Sequence, residues 1–251
     1  MLGYRYMDDN QMIYGRHPVK EFLSTTPART NKIFIQEDSH GAEIDEIKQL
    51  AKKNKIPVSF VDARKLRDLI PEGLTQGIVA EIQEHEYLDL DEFLQTLDIL
   101  KNPSVVILDE LDDAHNIGAI IRTSAAAGVS GIIVPKHRQA PISGGVYKTS
   151  AGTVGKIPII RVGNINQAVR TLKDNKFWIF GLDEKAQKNF WEEDMCIPVC
   201  FIAGNEHTGI REKTKELCDF LVSIPMEKQV ESLNVSVSTA LVVYEWKRQN
   251  L

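Results

Sequence analysis

Residues 105–122 read Val105-Val106-Ile107-Leu108-Asp109-Glu110-Leu111-Asp112-Asp113-Ala114-His115-Asn116-Ile117-Gly118-Ala119-Ile120-Ile121-Arg122. An uninterrupted apolar run is followed by a polar loop and then by a small, apolar stretch of helical character. A strand exposed on one face would alternate; one without alternation suits a strand covered by helices on both faces. The pattern recurs at Gly131–Val134, Ile157–Ile160, Phe177–Phe180, Val199–Ile202 and Phe220–Ile224, with helical segments between. These runs predict an α/β domain built on a mainly parallel sheet, in which ligands gather where strands end and loops begin. Val235–Lys247 closes the chain as a helix, with Ser232 or Asn234 as its N-cap.

Working upstream, Lys32–Ile35, Val58–Val61 and Gly77–Ile82 read as strands, and Glu43–Lys53 and Ala63–Leu69 as helices. They make a second, smaller α/β module. The stretch from His85 to Pro103 begins acidic and then spaces Leu88, Leu90, Phe93, Leu94 and Leu97 amphipathically. The division expected is an N-terminal domain over 1–88, its first ~10 residues a tail, a linker over 89–102, and a C-terminal domain over 103–251.

The 251 residues, 43% hydrophobic and 26% charged, match a soluble globular chain, and no apolar run approaches the ~20 residues needed to span a bilayer. Met1–Asp9 has no apolar core and turns acidic, which argues against a secretory signal, so no membrane association and a cytoplasmic location are expected. Cys196, Cys200 and Cys218 are too few and too poorly spaced for a metal or disulfide framework; they read as buried thiols, and no metal is expected. Neither G-x-G-x-x-G nor a P-loop follows any strand, which removes support for a nucleotide-dependent oxidoreductase. The net charge of −5 argues against a generally sticky nucleic-acid binder. Yet from Ala114 to Lys173 there is no Asp or Glu, while Arg122, Lys136, Arg138, Lys148, Lys156, Arg161, Arg170 and Lys173 fall inside that stretch. Either buried elements with a few solvated bases produce this run by chance, or it gives one region a positive field able to steer an anion.

Three strand ends carry polar clusters that core packing does not demand. After Leu108, Asn116 and Gly118 open a helix whose one long cation, Arg122, either snorkels to solvent or reaches an anion. After Phe201-Ile202-Ala203 come Gly204-Asn205-Glu206-His207, where glycine lets a ligand approach the backbone or merely makes a tight turn, with Glu206 exposed. After Ile224-Pro225-Met226, the segment Ser232-Leu233-Asn234-Val235-Ser236 either caps the last helix or offers its amides to a ligand.

Asn116-x-Gly118-x-x-x-Arg122, Gly204-Asn205-Glu206, and Ile224-Pro225-Met226 with Ser232–Ser236 together resemble the three motifs of the SPOUT superfamily, in particular the TrmH-type RNA ribose 2′-O-methyltransferases. Ile13-Tyr14-Gly15-Arg16-His17-Pro18-Val19 and Gln76-Gly77-Ile78 resemble the borders of the N-terminal domain of the bacterial 23S rRNA guanosine branch. Two residues depart from the pattern: Lys228, where glycine is common, and Thr75, where histidine is common. The resemblance implies an L30-like substrate-binding domain followed by a SPOUT domain with a trefoil knot, an exception to the rule against threading. It further implies a homodimer, RNA as substrate, with 23S rRNA expected and tRNA the alternative, and S-adenosyl-L-methionine as cofactor. A non-catalytic RNA-binding or ribosome-assembly protein is the rival outside the enzyme class. By resemblance Gly204, Ile224, Met226 and Leu233 hold the cofactor, and Asn116, Arg122, Glu206, Ser232 and Asn234 form the catalytic site.

Overall fold

The computed structural model describes residues 12–25, 27–71, 74–83, 85–140, 142, 144–227, 229 and 232–251. The expected N-terminal tail and Lys228 lie outside these residues. Two compact units emerge, one from residues up to 85 together with 141–156, the other from 86–140 and 157–251.

The first unit runs β1 (Met12–Tyr14), α1 (Arg16–Thr25), β2 (Thr30–Gln36), α2 (Ala42–Lys53), β3 (Val58–Val61), α3 (Ala63–Leu69) and β4 (Ile78–Ile82). Its sheet has the order β1-β4-β2-β3, with β4 antiparallel to both neighbours and β2 parallel to β3. Met12, Phe34, Leu66, Ile70 and Val79 form a core under α3, while α1 and α2 pack against each other. The two border segments meet: the Arg16 backbone N–H donates to Gln76 Oε1 at 3.0 Å and its Nε to the Gln76 carbonyl at 3.2 Å. Gly77 is required here, because a Cβ would come within 1.9 Å of Ser39 Oγ at a φ of +78°.

The second unit comprises α4 (Leu90–Gln95), β5 (Ser104–Leu108), α5 (Ala114–Ala127) and β6 (Gly131–Pro135). After α6 (Gly144–Thr149), which belongs to the first unit, it resumes with β7 (Ile159–Val162), α7 (Ile165–Asp174), β8 (Trp178–Leu182), β9 (Lys188–Asn189), β10 (Val199–Ala203), α8 (Glu212–Lys215), β11 (Phe220–Ser223) and α9 (Val235–Gln249). Seven strands form one sheet in the order β7-β6-β5-β10-β8-β11-β9, with every pairing parallel. Both faces are covered, as the unalternating apolar runs require. One face packs Val105, Ile107, Ile133, Ile179 and Ile202 under α7; α5 and α9 lie together as a pair, and α9 also contacts β10.

Local signals explain the helix ends. Asp113, not Asn116, caps α5, its carboxylate accepting the His115 N–H at 2.8 Å, and Gly128 ends that helix in the left-handed conformation. Asn116 lies inside the first turn and is buried. Of the two candidates for capping α9, Asn234 does so, accepting from Ser236 N–H at 2.9 Å.

The structure departs from a linear division of the chain in two places. Residues 141–156 group with the first unit: Tyr147 is fully buried and packs edge-on against Phe22 with ring centroids 5.0 Å apart. The stretch 89–102 is no free linker, because α4 is capped by Asp89 and buries Leu90 and Phe93 in the core of the second unit. Gly131 leaves room for it; a Cβ there would stand 2.6 Å from the Phe93 ring and 2.8 Å from Ile160 Cδ1. Phe93→Ala therefore leaves a cavity in the core and should cost about 3–5 kcal/mol in chemical denaturation. A loss below ~1 kcal/mol would return α4 to the status of a linker.

Candidate active site

The carboxyl ends of β8, β10 and β11, with the first turn of α5 and the start of α9, surround a cavity of about 680 Å³. Eight of the residues singled out from the sequence line it: Asn116, Gly204, Glu206, Ile224, Met226, Ser232, Leu233 and Asn234. Arg122 does not; it is exposed on α5, and among the described residues it has no hydrogen-bond or ion-pair partner. Six residues beyond Asn116, it lies about 9 Å farther along the helix and on a different face.

The three polar clusters converge through Asn116. Its amide N–H donates to the Glu206 carboxylate, and its carbonyl oxygen accepts from Asn234 Nδ2 at 2.9 Å. Asn234 Oδ1 in turn accepts from the Ser236 hydroxyl at 2.6 Å. A buried asparagine has both a donor and an acceptor to satisfy, and this chain supplies a partner for each.

Two further groups fix the loop that carries Glu206. The Arg211 guanidinium donates to both oxygens of Asp109, at 2.7 and 3.2 Å, and to Glu110 Oε1 at 2.9 Å. Asn205 Nδ2 donates to the Glu110 carbonyl at 2.8 Å, while Asn205 Oδ1 accepts the His207 N–H at 3.0 Å. Asp109 is only 1% exposed, and burial pushes its carboxyl above the ordinary aspartate range against the pull of Arg211. Gly204 is explained by the same loop: a Cβ would meet the backbone of Gly209 and Ile210 at 2.4 Å. Its bare Cα admits the loop's own return, so close packing of backbone on backbone accounts for the glycine.

The end of β8 supplies a part of the wall that the sequence reading did not single out. Asp183 and Lys215 both line the cavity and pair at 2.8 Å. Burial works to raise the Asp183 carboxyl, but the Lys215 ammonium and the Lys185 backbone N–H outweigh it and hold it below the usual value. The bond to Asp183 raises the Lys215 ammonium in turn. A signal was present, since Asp183 follows an apolar strand as Asp109 and Gly204 do, but its partner lies far along the chain.

Cys200 is buried and Cys218 partly buried; burial raises both thiols, the latter to about 12, so neither serves as a nucleophile near neutral pH. Cys196 departs from expectation: it lies in the loop before β10 and is exposed. Among the described residues, no cluster of three or more His, Cys, Asp or Glu could hold a metal ion, and no helix is long and apolar enough to cross a membrane.

Residues 103–244 match the SpoU rRNA Methylase family, and residues 12–88 match the RNA 2′-O ribose methyltransferase substrate binding family. A relative from Staphylococcus saprophyticus assigned to the TrmH family of tRNA/rRNA methyltransferases is 40% identical over 235 residues, 93% of this chain and 94% of its own. Another so assigned, from Bacillus subtilis, is 34% identical over 94% of this chain and 95% of its own. The SpoU methyltransferase AviRb from Streptomyces viridochromogenes, solved also with the cofactor AdoMet, shares the fold with a TM-score of 0.79 at 22% identity, over 95% of this chain and 89% of that one. With both of its halves matched and relatives aligned along nearly its whole length, the chain belongs to the SpoU/TrmH family of RNA methyltransferases.

Proposed function

We propose that this chain methylates the 2′-hydroxyl of a ribose in RNA with S-adenosyl-L-methionine, its target a guanosine of 23S rRNA. The carrying observation is the cavity at the strand ends, where an apolar wall and a polar cluster face one space. Its volume falls within the ~300–1,000 Å³ of small-molecule sites. Leu182, Val222, Ile224 and Leu233 suit the flat adenine, and the backbone at Gly204, Ile224 and Leu233 suits its polar edge. The bound cofactor supplies an electrophilic methyl group on a sulfonium centre. Asn116, Glu206, Ser232 and Asn234 then form the polar part of the site, with Glu206 held in place by Asn116. The RNA assignment draws on the N-terminal unit, matched to a substrate-binding family, and rRNA is favoured over tRNA by the presence of that extra domain.

A ribose hydroxyl is a poor nucleophile until its proton leaves. Arg122 stays protonated near neutral pH, so it is assigned the task of orienting the neighbouring RNA phosphate and stabilising the developing alkoxide, with the proton passing to a phosphate oxygen or water. Its place outside the cavity wall accords with the phosphate contact and not with the contact to the alkoxide, which needs the guanidinium at the reacting oxygen.

The reading includes a trefoil knot and a homodimer. Insertion of β10 between β5 and β8 supports the first. An open groove along α5 and α9, lined by Ala119, Thr123, Val237, Leu241 and Tyr244, supports the second, since Val237, Leu241 and Tyr244 are 40–50% exposed there.

Calorimetry should find S-adenosylmethionine bound at one site per chain and NAD not bound; NAD binding as tight would move the chain to another class. Leu241→Asp should convert the dimer to a monomer in light scattering, and a variant that stays dimeric would place the interface elsewhere. Arg122→Ala should keep cofactor affinity while methyl transfer to RNA falls about 100-fold or more. Arg122→Lys should recover little, because it retains the charge and loses the planar fork. If both variants methylate at the parent rate, the catalytic assignment of Arg122 is withdrawn.

A further inference from the structure

The carboxylate-free stretch from Ala114 to Lys173 holds eight bases, and the fold employs half of them internally. Lys148 lies 4.9 Å over the Tyr14 ring, Lys156 pairs with Glu21, Arg161 stacks 4.1 Å over the Tyr87 ring, and Lys173 pairs with Asp219 at 2.7 Å. Arg170 is exposed on α7, away from the strand ends, and Arg122 has been assigned above. Two remain, Lys136 and Arg138, in the loop that follows β6.

This loop is not slack. The Leu111 N–H donates to Gln139 Oε1 at 2.8 Å, the Ala140 N–H to the Leu111 carbonyl at 2.9 Å, and the Lys136 N–H to the Val162 carbonyl at 2.9 Å. The bases are therefore pinned to the loop that leads from β5 into α5. Arg138 sits at φ 58°, a left-handed conformation that side chains rarely adopt, and its side chain is 78% exposed. Such an outlier, fixed by bonds next to a candidate site, calls for a functional account. The site is close: Arg138 Nη1 lies 3.8 Å from Glu110 Oε1, and the Glu110 carbonyl accepts from Asn205, which lines the cavity. Arg138 shares Glu110 with Arg211, whose bond to that carboxylate is the shorter at 2.9 Å, and with its side chain 78% exposed it keeps donors open to solvent. Asp112 and Asp113 are exposed on the adjoining loop, with Asp113 engaged as the cap of α5. Cations on one loop and acids on the next favour an anion over the first and repel it from the second, a pattern that orients a polyanion.

We propose that Lys136 and Arg138 grip the phosphodiester backbone of the substrate RNA beside the cavity, setting its register without touching the cofactor. Arg suits the task through its planar fork and Lys as a point charge. The proposal rests on RNA being the substrate, as set out above.

The test compares the full-length parent with Lys136→Ala, Arg138→Ala, the double variant and, as a control for net charge alone, Arg170→Ala. Binding to a fluorescein-labelled RNA hairpin is followed by anisotropy from about 50 to about 200 mM KCl, where each phosphate contact adds roughly 0.7–0.9 to the slope of log affinity against log salt. Methyl transfer is measured on total RNA from cells lacking the protein, and cofactor affinity by calorimetry. The double variant should bind about tenfold more weakly, with a slope shallower by about 1.5, a raised KM for RNA, and kcat and cofactor affinity within about twofold of the parent. Parent affinity and slope in the double variant overturn the proposal. So does an equal loss in Arg170→Ala, which would mark a general charge effect, or a matching loss of cofactor affinity, which would mark damage to the cavity. A parent that binds RNA with a salt slope the variants lose, but transfers no methyl group, would sink the proposed function and leave the grip standing.

Discussion

Parallel pairing of β10 with β5, in register from Val199 opposite Ser104 to Ala203 opposite Leu108, is the contact on which the site depends. It continues one step further, the Asp109 N–H donating to the Ala203 carbonyl, before the two chains part. Because both strands end at the same edge, loops distant in sequence leave the sheet side by side. A buried carboxylate at that edge needs a cation, and Arg211 supplies it from the far end of the β10 loop. That pair and the bond from Asn205 to the Glu110 carbonyl fold the loop back over Gly204 and hold it beside the start of α5, where Glu206 meets Asn116.

Much of this was legible in the sequence because strands buried on both faces leave long apolar runs. The runs at 105–108, 131–134, 199–202 and 220–224 fall on β5, β6, β10 and β11 to within a residue or so. The run at 157–160 is displaced, since the strand begins at Ile159, after Pro158, whose ring nitrogen has no proton to donate to a ladder. β1 and β9, three and two residues long, are too short to display a period. The amphipathic spacing of Leu90 and Phe93 was visible, but its docking depends on the absence of a side chain at Gly131 and so could not be read locally.

The site divides along similar lines. Polar residues at the ends of recognisable strands stand out in the sequence, and the structure joins three of them, Glu206, Asn116 and Asn234, by hydrogen bonds. Ion pairs that join distant segments do not stand out: Asp183 with Lys215 and Asp109 with Arg211 involve residue types common at any surface, and only the fold brings them together. For Gly204 the sequence left two readings open, approach of a ligand or a tight turn, and the packing at its Cα is that of the turn. What lies against that Cα is the Gly209–Ile210 peptide of the same loop.

A chain of net charge −5 gains from this arrangement when its substrate is a polyanion. Half of the bases of the carboxylate-free stretch are engaged by aromatic rings and carboxylates, which leaves fewer of them open to an RNA. On the proposal above, phosphates set against Lys136 and Arg138 are attracted while the net negative charge opposes other approaches, so that specificity comes from repulsion elsewhere as well as from attraction at the site. On the assignment proposed for it, Arg122 meets the RNA phosphate from outside the cavity wall, and the cavity keeps the Asn116 network and the Asp183–Lys215 pair, in which the ammonium is balanced by a carboxylate.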